Sequence, residues 1–364
     1  MSARVASRSD ARRTRLVAVV PVRDGGADVG RSLDGLLGAG LAPRDVRVVD
    51  DASRDGAAAA AARARGIPLL AVVDGPRGPA HARNVGARAA VADGADAVLF
   101  VDADVVLHAD AAERFRAVLD ADPGLAAAFG SYDDAPPAPG WVSQYKNLLH
   151  HRVHQRGETA ACTFWSGCGV VRREPFVAFG GFDESFADAS IEDVDLGLRL
   201  TDAGRRVRLC PDVLCTHLKR WTLASWLRTD VLKRALPWSR LLARRGRGVP
   251  ASLNLGHRER ASAACALLVA AAAPAAPFVA GAPLALVAAL AAFVALQRDL
   301  LGFFARRRGL AFAAAATAMH LCYFVYSSVV FVAVRAGAVP RRRASAWSAR
   351  FAAGSSSRKS NGRR

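Results

Sequence analysis

The sequence predicts an α/β fold, with a Rossmann-like, mostly parallel sheet in its first 220 residues and membrane helices in its last third. Three observations predict it. Short apolar runs alternate with segments of helical periodicity from Leu16 onward, the runs end in acidic clusters, and two long stretches near the C-terminus lack any charged residue. Continuous apolar strands separated by helices are the pattern of a parallel sheet covered on both faces.

Taken in order, residues 1–15 are polar, basic and aperiodic, which predicts a disordered arm. The run Leu16–Val22 (LVAVVPV) is the first strand. Residues 46–49, 67–73 and 97–101 supply three more, with helices near 27–39, 54–65, 79–92 and 109–121. In such sheets ligands bind beyond the carboxyl ends of the strands. The first strand runs into Pro21-Val22-Arg23-Asp24, the second into Asp50-Asp51-Ala52-Ser53 and the fourth into Asp102-Ala103-Asp104. One acid at such a place is an ordinary helix cap, but three strands that deliver acids to one edge point to a site. Past Gly140 come an amphipathic helix (about 141–156), a Trp165-Ser166-Gly167 turn, a Gly180-Gly181-Phe182-Asp183 loop and a helix opened by Glu192-Asp193 that carries Arg199. This half is expected to form the acceptor side of the cleft, with Trp165 on its wall.

Charge divides the chain in the same place. Residues 16–217 hold 21 Lys and Arg against 28 Asp and Glu, a net charge of −7, while the whole chain is +18. The positive charge lies in the N-terminal arm, in 219–260 (11 basic residues against Asp230 and Glu259), in 298–308, and in nine basic residues after Val334. A nucleic-acid binder would place its basic face on the folded domain, so this distribution argues against that class. Basic runs beside apolar stretches match anionic lipid headgroups and the positive-inside bias.

No charged residue occurs from Ala261 to Gln297 or from Gly309 to Val334. The first stretch exceeds the ~20 residues that span a bilayer once. Pro274, Pro277, Gly281 and Pro283 near its middle favour a hairpin of two short spans over one long span. The segment 298–308 reads as an interfacial helix and 309–334 as one span. The expected organisation is therefore an arm (1–15), a catalytic domain (16–220), a basic juxtamembrane segment (221–260), a hairpin (261–297), an interfacial helix (298–308), a span (309–334) and a disordered basic tail (335–364). This makes a multi-pass protein of the cytoplasmic, inner membrane with its catalytic domain in the cytosol. The six dispersed cysteines suit buried small apolar positions better than a disulfide framework or a zinc cluster. His150 and His154, one helical turn apart with no third ligand, suit a solvated or acceptor-facing helix surface better than a metal site.

A diphosphate leaving group needs a divalent cation to neutralise developing charge, and hard cations prefer carboxylate oxygens. Asp102 and Asp104, two apart after the apolar strand AVLFV, can supply them. The ordered series Val20-Pro21, Val49-Asp50-Asp51-Ala52-Ser53, Gly78-x4-Arg83-Asn84-x-Gly86, Asp102-x-Asp104, Gly180-Gly181-Phe182-Asp183-Glu184, Glu192-Asp193-x-Asp195-Leu196-x2-Arg199 and His217 resembles the family-2 glycosyltransferases of GT-A fold over about 200 residues.

The resemblance implies a nucleoside-diphosphate sugar donor and a divalent cation, Mn²⁺ or Mg²⁺. It implies that Asp50 or Asp51 hydrogen-bonds the base beside Pro21 and Arg23, and that Arg83 steadies the base or the diphosphate. Asp102 would face ribose and metal, Asp104 would ligate the metal and His217 would complete its coordination. Asp193 would be the general base of an inverting transfer, with the adjacent Glu192 as the second catalytic candidate and a helix-start acid. Lys219-Arg220-Trp221 places Arg220 and Trp221 at the acceptor; processive relatives carry a Gln three residues before that Arg, and His217 stands there instead, which argues against a polysaccharide synthase.

The expected activity is transfer of one sugar to a hydroxyl of a lipid-linked or envelope glycan acceptor. Transfer to a polyprenyl phosphate is the nearest rival. A nucleotidyltransferase is the rival of another class, and Arg23-Asp24-Gly25-Gly26 is a poor version of the glycine-rich loop it would need.

Overall fold

The computed structural model describes residues 13–186, 190–245 and 256–338. The expected disordered arm (1–15) and basic tail (335–364) fall almost wholly outside these residues.

The elements run β1 (Leu16–Val22), α1 (Asp28–Gly38), β2 (Val46–Asp50), α2 (Ala57–Ala64), β3 (Leu69–Ala71), α3 (Pro79–Ala92), β4 (Ala97–Val101), β5 (Val105–Leu107), α4 (Ala111–Ala121) and β6 (Leu125–Tyr132). Then come α5 (Trp141–Arg156), β7 (Ala160–Ala161), β8 (Cys168–Arg172), α6 (Arg173–Ala178), α7 (Glu192–Asp202) and β9 (Arg206–His217). A helical tail follows: α8 (Leu223–Arg228), a π-helical stretch (Thr229–Ala235), α9 (Leu236–Arg245), α10 (His257–Ala275), α11 (Ala282–Arg308) and α12 (Leu310–Arg335).

The strand order is β3-β2-β1-β4-β8-β6-β9-β5, with β7 on β9. The pairs β1/β2, β1/β4, β2/β3 and β6/β9 are parallel, while β8 runs antiparallel to both β4 and β6. This is the mixed, mostly parallel sheet of GT-A glycosyltransferases. Period-two alternation divides β1 between two cores. Leu16, Ala18, Val20 and Val22 face α1, α2 and α4, whereas Val17 and Val19 face α3, α6 and α7 with Phe100, Phe176 and Phe182. Each buried aromatic or branched side chain contributes roughly 1.5–3 kcal/mol of transfer free energy. Gly86 sets how closely α3 approaches, because a Cβ there would lie 2.4 Å from Val19 and 2.8 Å from Val49.

Antiparallel pairing then builds the site edge. β5 pairs with the end of β9 in the register Val105↔His217, so the residue after Asp104 lies opposite His217.

The C-terminal helices differ from expectation in one respect. The charge-free stretch does break at its prolines, with Pro274 in the last turn of α10 and Pro283 in the first turn of α11. Residues 298–308, however, are not a separate interfacial helix. They are the last three turns of a continuous 27-residue α11, ended by Gly309 at φ 85°. The charges that looked like a boundary are used for docking: Asp299 pairs with Arg156 (3.1 Å) and Arg258 (3.5 Å), Arg307 pairs with Asp134, and Arg308 Nε donates to Gln144 Oε1 (2.7 Å). Both α11 and α12 are long and apolar enough to cross a membrane.

Candidate active site

The loops after β1 and β2 are knitted together by their own acids. Asp24 N–H donates to Ser53 Oγ (3.0 Å), Arg54 N–H to Asp24 (2.8 Å), Gly26 N–H to Asp55 (2.8 Å) and Ser53 N–H to Asp50 Oδ1 (2.9 Å). Ala52 adopts φ 58° to make the turn, a left-handed conformation that costs a side-chain-bearing residue roughly 1–2 kcal/mol. Asp51 is buried and accepts from the N–H groups of Arg77 and Gly78, both at 2.8 Å, which fixes the entry to α3. Between the two candidates for the base, Asp51 is buried with a backbone N–H on each oxygen, and Asp50 is the partly exposed one. Pro21 is half-buried beside them and Arg23 is exposed.

Arg83 corrects a sequence expectation. Its guanidinium is 5% exposed, donates 2.7 Å bonds to Asp102 Oδ1 and Glu192 Oε1, and lies 5.6 Å over the Phe182 ring. Burial disfavours its charge, but Asp102, Glu192 and Asp193 together outweigh burial and raise its pKa further. With both terminal nitrogens held by carboxylates, it is a clamp between α3, β4 and α7, not a free cation turned to a base or diphosphate. Glu192 is corrected with it. One oxygen takes Arg83 and the other takes Ser190 N–H (2.8 Å), and the residue is 3% exposed, so Glu192 is held as the buried ion-pair partner of Arg83.

Asp193, one residue on, stands differently. Ser166 reaches its Oδ2 with both N–H (3.0 Å) and Oγ (3.2 Å), and Val194 N–H reaches Oδ1 (2.7 Å). Burial, reinforced by the negative charge of Glu192, pushes the carboxyl up to about 6 against the opposing pull of these bonds and Arg83. A carboxylate with a pKa near 6 is suited to accept a proton near neutral pH.

Asp104 and His217 meet on the β5/β9 ladder, Asp104 Oδ2 lying 3.5 Å from His217 Nε2. Burial alone would raise the Asp104 carboxyl, but the hydrogen bond and charge of His217, with Lys219, hold it below the ordinary value. His217 stacks on Tyr132 (4.5 Å, 6° between planes), and its Nδ1 lies 2.7 Å from Asn147 Oδ1. An amide oxygen only accepts, so Nδ1 carries a proton and Nε2 is the nitrogen turned to Asp104. Among the described residues no group of three or more His, Cys, Asp or Glu is placed to hold a metal. The protein therefore offers Asp104 and His217, with Asp102 adjacent but giving one oxygen to Arg83. Such a set fits a cation that completes its shell from a bound diphosphate and water.

Trp165 packs edge-on against Tyr132 (4.8 Å), the ring on which His217 stacks, and beside His150 and His154. Burial lowers both histidines, His154 to about 4, so they stand as half-buried, neutral aromatic groups on the face of α5 turned to Trp165. Arg220 is exposed, but Trp221 is not the acceptor platform expected: it is 7% exposed and packs with Tyr145, Leu148, Trp226 and Phe304 where the catalytic domain meets the helical tail. The sequence also did not reveal Ser166, Asn147 and Tyr132 as supports of Asp193 and His217. Only the neighbouring Trp-Ser-Gly turn hinted at the first.

The fold and this edge define a glycosyltransferase domain of GT-A type. Residues 17–179 match the family model "Glycosyl transferase family 2", so the chain carries a domain of that family. Among solved structures, the chain is similar to the mannosyltransferase PcManGT of Pyrobaculum calidifontis in complex with GDP-Man and Mn²⁺, at 23% identity and a TM-score of 0.51, over 88% of this chain and 87% of that one. It is also similar to residues 1–349 of TarS from S. aureus (16%, TM-score 0.43, 89% and 92%) and to GalNAc-T7 with UDP, GalNAc and Mn²⁺ (13%, TM-score 0.46, 65% and 52%). No curated protein matches the chain.

Proposed function

We propose that the protein is an inverting, metal-dependent glycosyltransferase that moves one sugar from a nucleoside-diphosphate sugar to a hydroxyl of a lipid-linked or envelope glycan acceptor. The observation that carries this reading is Asp193, a carboxylate oriented by Ser166 and tuned to about 6 by burial and its Glu192 neighbour. An alcohol has a pKa far above neutrality, so its attack on the anomeric carbon requires a base, a contribution of typically 10²- to 10⁴-fold. Asp193 takes the hydroxyl proton, Glu192 and Arg83 hold the start of α7 in place, and Asp50, Pro21 and Arg23 receive the base. Asp104 and His217, with the free oxygen of Asp102, hold Mn²⁺ or Mg²⁺, which supplies charge neutralisation for the departing diphosphate. The Pyrobaculum enzyme of the same fold, in complex with a nucleotide sugar and Mn²⁺, supports the donor and cation.

On this reading residues 16–220 are the catalytic domain, held by the basic segment 221–260 and the apolar helices at the cytosolic face of the cytoplasmic membrane, where nucleotide sugars are made. The test is turnover of Asp193→Asn. A loss of at least a hundredfold in kcat, with nucleotide affinity nearly unchanged, is expected. A lipid phosphate acceptor is already ionised and needs no base, so retention of more than a tenth of turnover would move the reading to polyprenyl phosphate.

A further inference from the structure

Helix α5 is bonded both to the helical tail and to the edge that carries Asp104 and His217. Its Asn147, His150, His151 and His154 fall at i, i+3, i+4 and i+7, the spacing of one helix face. That face meets the sheet. Asn147 Oδ1 lies 2.7 Å from His217 Nδ1, His150 lies against the Tyr132 ring (4.2 Å), and His151 and His154 donate from Nδ1 to the carbonyls of Tyr132 (2.7 Å) and Gly130 (3.0 Å). The tail holds the same helix by other residues. Arg308 Nε donates to Gln144 Oε1 (2.7 Å), Tyr145 OH lies 2.9 Å from His320 Nδ1, and Lys146 Nζ donates to Asp230 Oδ2 (2.6 Å).

Asp230 is the centre of this attachment. It lies in the π-helical stretch with its side chain 4% exposed, and one oxygen takes Lys146, Trp226 Nε1 (2.8 Å) and Tyr326 OH (2.8 Å). Three elements, α5, α8 and α12, therefore converge on it. A buried ion pair adds little net stability over apolar side chains of similar size, because desolvation of both charges offsets their attraction. What it imposes is position. The apolar cluster around Leu148 tolerates a small slide or turn of α5, whereas Lys146 Nζ must reach one oxygen. Successive helix residues stand about 100° apart, so fixing Lys146 fixes the direction of Asn147 beside it. Asn147 is 1% exposed and is the residue that meets His217.

We infer that Lys146 and Asp230 are positioning residues for the cation pair: by fixing α5 against the tail, they set where Asn147 holds His217 beside Asp104 (3.5 Å). The tail is then a structural part of the cation site as well as a membrane attachment. The inference rests on the reading of Asp104 and His217 as the cation's protein ligands. Removing a partner that orients such a ligand typically costs about 10- to 100-fold in metal affinity.

The test is Mn²⁺ titration of the full chain in detergent, read by electron paramagnetic resonance with GDP or UDP at saturation. The paired change Lys146→Met with Asp230→Asn removes both charges and keeps an acceptor for Trp226 and Tyr326. It is expected to unfold within a few degrees of the parent and to bind Mn²⁺ about tenfold more weakly. Asn147→Ala is expected to do the same, and adding the paired change to it is expected to weaken binding no further, because both act through one contact. Tyr326→Phe leaves the ion pair in place and is expected to weaken Mn²⁺ about threefold, which decides the matter if the paired variant does not fold. Unchanged Mn²⁺ affinity in either folded variant, or an effect that adds in full to that of Asn147→Ala, would overturn the positioning role. Asp104→Ala is the control: if it kept Mn²⁺ binding intact, the cation reading itself would fail, a distinct outcome.

Discussion

At the ends of β1 and β2, the exposed or backbone-bonded Asp24, Asp51 and Asp55 hold neighbouring loops through N–H groups, whereas at the other end of the edge Asp193 is buried beside Glu192, which raises it, and Asp104 is held low by His217. Glu192 and Asp193 show the contrast between adjacent residues. The first is tied in a direct ion pair to Arg83; the second accepts only neutral donors and is pushed up to about 6. Residue type and strand-end position are shared by the two regions. The partners decide which acids build the edge and which can do chemistry there.

The comparison breaks most severely at Arg83. Arg83→Met leaves Glu192 and Asp102 as uncompensated partners of a buried clamp, and loss of about 3–5 kcal/mol of unfolding free energy is expected by denaturant titration. Asp51→Asn replaces one of two acceptors with a donor facing an N–H group, and a loss of about 1–3 kcal/mol is expected in the same measurement. Asp104→Ala tests the other region. Stability is expected to change little, while calorimetry with Mn²⁺ shows nucleoside-diphosphate affinity reduced tenfold or more, about 1.4 kcal/mol. Unchanged, chelator-resistant binding would remove Asp104 from the cation site. The smallest effect belongs to Ala52→Gly, which relieves the φ of 58° and is expected to raise stability by up to about 1 kcal/mol with activity retained.

Much of this was legible in the sequence, for physical reasons that also explain what was not. β1, β2 and β4 are buried on both faces, so their apolar runs are unbroken and easily read. β6 (LAAAFGSY) is also buried throughout, yet its alanines serve helices equally well, and Pro211 interrupts β9. The strand-end acids and His217 were visible as a set, but the division among them was not. Arg83 meets Glu192, and His217 meets Asn147, across long stretches of chain, and local periodicity carries no trace of such pairs. Asp299, Arg307 and Arg308 misled in a similar way, because charges that dock one helix on a domain look in sequence like the end of that helix.

The central claim is that environment makes Asp193 the base. Its folded pKa of about 6 lies above the ordinary carboxylate value, so the proton-accepting form is lost as pH falls through about 6. The decisive measurement is the pH profile of kcat/KM, which reports the free enzyme. The account predicts a plateau near neutrality and a tenfold fall per pH unit below about 6, a limb that disappears in the residual activity of Asp193→Asn. A rate that stays flat down to pH 4.5, or a limb that survives in Asp193→Asn, would contradict it.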